Sequence, residues 1–194
     1  MQAGYSVELG REDPALELPW RSEDGTSQYY DLKRHPELMS QIPEAASSPE
    51  LSAFLTRINA AGFPLQTAKC DAWHSREISP EEEVFGAAGK FVSYVDLIFS
   101  AEAPRLLLEE HESLAKNLCG LLQRAPEMPG AVELTIRRCH YHPDGNLDES
   151  ASGFCITAYV SGFADSEPDA RQRWSIALTL FQHALVQVAQ TARI

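Results

Sequence analysis

No stretch of this sequence is apolar for long enough to cross a bilayer, which takes about 20 residues of helix. The first eight residues, Met1 to Glu8, hold no basic patch followed by an apolar run, so a secretory signal is not expected and the cytoplasm is the expected compartment. Cationic side chains are scarce: 16 Lys and Arg face 28 Asp and Glu, a formal net charge of −12. Nucleic acid and anionic lipid both select for a basic surface, so neither is an expected partner. The four cysteines (Cys70, Cys119, Cys139 and Cys155) include no C-x-x-C pair and are expected as thiols. There is no G-x-S-x-G, no H-E-x-x-H and no dinucleotide fingerprint. Gly86-Ala87-Ala88-Gly89-Lys90 resembles the end of a phosphate loop, but Val84 and Phe91 stand where that loop needs Gly and Ser or Thr.

What is present suits a folded chain. An apolar share of 44% over 194 residues can fill one core. Residues 1–47 are rich in Pro and turn formers. Two β-prone runs, 15–20 and 27–32, flank Glu23-Asp24-Gly25 and predict a hairpin or extended segment packed on the body. Ser48, Pro49 and Glu50 predict a helix start, with Leu51, Phe54, Leu55 and Ile58 at helical spacing. Strands are predicted over 65–74, 91–99, 131–142 and 154–161, with helices from about 103 to 124 and from Ser166 almost to the C-terminus. Ser79 to Glu83 can form one capped turn between the first two strands.

The body over 48–194 thus reads as one α+β domain of two ββα units, with an internal duplication aligning 65–124 with 131–193. Its expected sheet has four antiparallel strands, a permuted ferredoxin-like layer with an extra N-terminal helix and hairpin.

Side-chain alternation assigns faces. Val132, Leu134 and Ile136 should meet the helices, and Arg138, His140 and His142 continue that face. Ala68, Cys70, Ala72 and His74 are their counterparts, small until the last, and predict a cavity at one end of the core. Thr67, Lys69, Asp71, Trp73, Tyr94, Asp96, Arg137, Cys139, Tyr141, Thr157 and Tyr159 fall on the opposite face. There Trp73, Tyr94, Tyr141 and Tyr159 are the candidate interaction surface, covered by the N-terminal segment or by a second subunit.

Three chemistries compete for the Arg138, His140 and His142 cluster. His140-x-His142 offers two nitrogens to a divalent metal, with His74, Asp144 or Asp148 as further ligands. Arg138 with the two histidines suits a small anion. Cys70 near His140 could pair a nucleophile with a base, whereas Cys139 points away; buried thiols are more often structural. No catalytic signature favours a reaction. The expected function is therefore a small-ligand or protein-interaction module without catalysis, as a homodimer through its aromatic sheet face. The alternative is an enzyme using the Arg and His cluster with a divalent metal.

Overall fold

A computed structural model describes residues 1–142 and 150–191. Its architecture is mixed α+β, built on a six-stranded open sheet. The strands are β1 (Gln2–Glu8), β2 (Leu16–Leu18), β3 (Leu65–Ser75), β4 (Gly89–Phe99), β5 (Gly130–Tyr141) and β6 (Ala151–Ala164). The helices are α1 (Pro43–Ser47), α2 (Pro49–Ile58), α3 (Glu102–Arg105), α4 (Leu108–Leu122) and α5 (Glu167–Thr191). Short 3-10 turns fill Pro36–Gln41 and Pro80–Phe85. No described helix is long and apolar enough to cross a membrane.

The strand order is β1-β5-β6-β4-β3, antiparallel from β5 to β3, with β1 and β2 both parallel to β5 along its outer edge. The expected four-stranded sheet is therefore widened to six by the N-terminal segment. The predicted hairpin survives only as a turn, closed by the Arg21–Gln28 bridge and the Tyr29 N–H bonded to Trp20 O at 2.9 Å. Its first arm pairs with β5 instead, because the open edge of a long strand offers a full ladder that 27–32 does not. β1 was not expected at all. Ala3, Tyr5 and Val7 alternate with Gln2, Gly4 and Ser6, but an edge strand that is largely exposed carries a weak pattern.

Local signals otherwise acted as their chemistry dictates. The Ser48 hydroxyl accepts the Leu51 N–H at 3.3 Å, and Pro49 takes the first helical position. Ser79 and Glu82 form a reciprocal capping box. The Ser166 hydroxyl accepts the Asp169 N–H at 3.3 Å before α5. The helix expected over 103–124 is broken at Leu106 and Leu107. Arg105 folds back to donate to the carbonyls of Phe99 (2.7 Å) and Ser100 (3.2 Å), which holds the first turn on β4 instead of in line with α4.

The helices cover one face. Leu51, Phe54, Leu118, Phe181 and Leu185 pack there against Val95, Leu97, Val132, Leu134, Ile136 and Ile156. Trp174 is fully buried, tilted against Phe91 at 4.8 Å, and its indole N–H donates to Ser93 at 2.8 Å. Lys33 ties the N-terminal segment to the body by donating to the carbonyls of Phe63 and Leu65 and to the Ser100 hydroxyl.

Gly162 is where α5 comes closest to the sheet: a Cβ there would lie 2.1 Å from Trp174 N and 2.5 Å from Ala170 O. Backbone atoms cannot step aside as a side chain can. Gly162→Ala is expected to cost about 3 kcal/mol and to lower the thermal midpoint by roughly 6–12 °C. An unchanged midpoint in a calorimetric scan would mean that α5 is not seated on β6 in this way.

Candidate functional site

The predicted rim at the end of β5 is held together by structural contacts. The Arg138 guanidinium donates to the carbonyls of Leu9 and Gly10, which fixes the chain leaving β1. His142 Nε2 lies 2.5 Å from Glu17 Oε2, and His140 Nδ1 lies 3.4 Å from the Ser152 hydroxyl. His74 is not beside them. Register places it in line with Phe91, Gly162 and Gly130, and His140 stands ten residues farther along β5, about 33 Å at ~3.3 Å per residue. β3 and β5 run in opposite directions, so their C-terminal ends lie at opposite ends of the sheet, and the cavity expected between those ends does not form. No group of three or more His, Cys, Asp or Glu that could hold a metal occurs among the described residues. Asp144 and Asp148 lie outside them.

Cys70 faces the helix side with Ala72, and burial pushes its thiol up to about 12, helped by Glu44 and Asp71. A bulge between Thr67 and Lys69 exchanges the two faces of β3 over its first four residues, Leu65 to Ala68. Thr67 turns to α2, where it bonds Asn59, and Ala68 turns to the opposite side. Beyond the bulge the expected alternation resumes.

The face away from the helices carries the candidate site. Its two ends are roofed by different parts of the chain. At one end Leu16, Leu18, Trp20 and Tyr29 pack on Ala68, Ile98, Cys139, Tyr141 and Cys155. Tyr141 is therefore buried, its hydroxyl donating to Phe154 O at 2.6 Å, and it does not belong to an exposed interaction surface. At the other end Phe85 stacks on Phe163 at 4.1 Å, and Glu82 pairs with Lys90 at 2.6 Å.

Between the roofs runs a polar and aromatic band. One row reads Ser6, Thr135, Thr157, Asp96, Lys69, and the next Gly4, Glu133, Tyr159, Tyr94, Asp71. Trp73, Tyr94 and Tyr159 make a chain of rings at 6.2 and 6.1 Å, with Trp73 39% exposed. Under the edge of the N-terminal roof a cavity of about 180 Å³ is lined by Lys69, Tyr94, Asp96, Arg137, Cys155 and Tyr159, among others. It adjoins a larger concavity of about 590 Å³, which shares Leu16, Lys69 and Tyr94 and adds Trp20.

Asp96 is the unusual group. It is only 6% exposed, at the centre of the sheet, with Oδ1 accepting the Thr157 hydroxyl at 2.5 Å. Burial raises its carboxyl above the ordinary range, against that hydrogen bond and the attraction of Lys69 and Arg137. Burial, then Asp96 and Asp71, hold the Tyr94 phenol protonated. Lys69 Nζ sits over the rings of Trp20 at 5.1 Å and Tyr94 at 6.0 Å. Arg137 lies over Tyr159 at 5.8 Å and donates to its hydroxyl at 3.3 Å. Sequence parity assigned all of these to one face. The N-terminal segment lies over part of that face, one of the two covers expected for it; what parity did not show was where that cover ends, which leaves a cavity at its edge.

Comparison with known proteins brought no match: no family model, no curated protein and no solved structure aligns with this chain.

A carboxyl whose folded value is raised keeps its proton longer in the folded chain than in the unfolded one. Stability must then fall as pH rises from about 4 through the folded value. Asp96→Asn keeps the acceptor for Thr157 and removes that slope. Urea unfolding should show the variant gaining on the native protein between about pH 4 and pH 7; a gap that does not change with pH would refute the raised value.

Proposed function

We propose that the protein is a non-catalytic module that holds a small anionic ligand against the sheet face opposite the helices. One observation carries this reading: two cationic heads, Lys69 and Arg137, stand at a cavity walled by Tyr94 and Tyr159, and Lys69 has no hydrogen-bond acceptor among the described residues. A carboxylate or phosphate would supply acceptors to both cations. The rings would shield the pairing from water, as in most small-molecule sites. Catalysis is disfavoured by the groups at hand. No histidine lines either cavity. The Cys155 thiol, hydrogen-bonded to Cys139 and buried, is held protonated. All four thiols are free, which suits the reducing cytoplasm as the compartment.

A second reading, a homodimer, is favoured by Trp73, which stands 39% exposed at the end of the aromatic chain. We also infer that the chain arose by duplication. The succession β3-β4-α4 followed by β5-β6-α5, with the four strands ordered β5-β6-β4-β3, supports that origin and a permuted ferredoxin-like layout inside the larger sheet.

The anion reading is tested by thermal unfolding with 3-phenylpropionate and phenethylamine, which share a ring and differ in charge. At ten times its Kd the carboxylate should add about 1.4 kcal/mol, or roughly 3–6 °C, and Lys69→Ala with Arg137→Ala should remove the gain. A midpoint moved equally by the amine, or by neither, would sink the reading. For the dimer, a monomeric mass in sedimentation at tens of micromolar is the result that rejects it.

A further inference from the structure

The cavity holds free hydrogen-bonding capacity of both signs. Register sets Lys69 directly opposite Asp96, a position where Cβ atoms lie about 5 Å apart. No salt bridge joins them, because the ammonium lies over the Trp20 and Tyr94 rings instead. Asp96 accepts one hydrogen bond, from Thr157 on Oδ1, and its second oxygen accepts none among the described residues. Arg137 gives one N–H to Tyr159, and its Nε lies 3.4 Å from Glu8 Oε2 without making a hydrogen bond.

A ligand that carried only negative charge would satisfy the two cations. It would also press a second anion against the buried carboxyl of Asp96, an arrangement that is costly for both. The chain as a whole repels free anions as well, at a net charge of −12. A ligand with an ammonium a few bonds from its carboxylate meets neither objection.

We propose that the ligand is an α-amino acid with an apolar side chain. Its carboxylate binds Lys69 and Arg137, its ammonium binds the open oxygen of Asp96, and its side chain runs beside Leu16 and Trp20. The proposal rests on the anion reading above and narrows it to a zwitterion. The sizes agree: about 180 Å³ for the head group adjoins about 590 Å³ for the side chain. The incoming ammonium would also offset the burial of the Asp96 charge, which in the empty cavity favours the protonated form.

Titration calorimetry with L-phenylalanine, 3-phenylpropionate and N-acetyl-L-phenylalanine tests this on the native protein, since the last two lack the ammonium. L-Phenylalanine should bind at least tenfold tighter than either. Asp96→Asn should erase that advantage while keeping 3-phenylpropionate, and Lys69→Ala, at an exposed position, should weaken all three. If L-phenylalanine binds no tighter than 3-phenylpropionate, the amino-acid proposal is overturned and the anion site stands. If none of the three binds, both fall. An advantage that persists in Asp96→Asn overturns the pairing with Asp96. The comparison among ligands on the native protein does not depend on either variant folding.

Discussion

β5 is hydrogen-bonded along both of its edges, and the organisation of the opposite sheet face depends on that pairing. On one side it meets β6 through its whole length; on the other it meets β1 and then β2. A strand with only one partner would leave residues 1–30 free to lie elsewhere. Because β2 is held beside Cys139 to Tyr141, the chain that follows must cross the sheet. Trp20 then reaches far enough to donate its indole N–H to Ala68 O at 2.8 Å on β3. The cavity wall is thus a consequence of strand pairing some distance away.

The centre of this sheet face does not look selected for stability. Thr135, Thr157 and Asp96 sit in a row where Val or Ile would pack at lower cost. Asp96 is the extreme case, a carboxyl at 6% exposure with a single hydroxyl donor. Its neighbours on the helix side, Val95 and Leu97, are buried in an ordinary apolar core. The contrast between the two faces of the same strand argues that the polar face serves something other than folding.

Much of the fold could be read from the residues because its signals are local. Ser48 with Pro49, Ser79 with Glu82 and Ser166 with Asp169 each mark a start by a side chain that satisfies a nearby N–H. Alternation placed the whole of β5 correctly, since no bulge interrupts its ladder with β6. The same rule misplaced Thr67 and Ala68, where one extra residue exchanges the faces. Strand direction was the larger obstacle. His74 and His142 end their strands alike in sequence, yet the antiparallel order β5-β6-β4-β3 sends them to opposite ends. Reactive side-chain types drew attention to Arg138, His140 and His142, while the open hydrogen-bonding groups that share a cavity belong to Lys69, Asp96 and Arg137. Only the roof formed by residues 14–30 distinguishes the two sets, and its placement is a tertiary fact.

The two rims of the sheet are finished differently. Along β3 the outward backbone groups near its start are already taken: Lys33 holds the Leu65 carbonyl, Asn59 accepts the Thr67 N–H, and Trp20 holds the Ala68 carbonyl beside the bulge. A foreign strand approaching there finds no ladder to extend. β1 is guarded at one point, where the Gln123 side chain donates to the Ala3 carbonyl at 3.0 Å; from Gly4 onward no such bond occurs among the described residues. Its seven residues contain neither proline nor lysine, and Tyr5 and Val7 stand 44% and 40% exposed along it. Growth of this sheet from one molecule into the next, as happens in crowded or partly unfolded protein, therefore has a direction. It is open outward from β1 beyond Gly4 and closed at the start of β3.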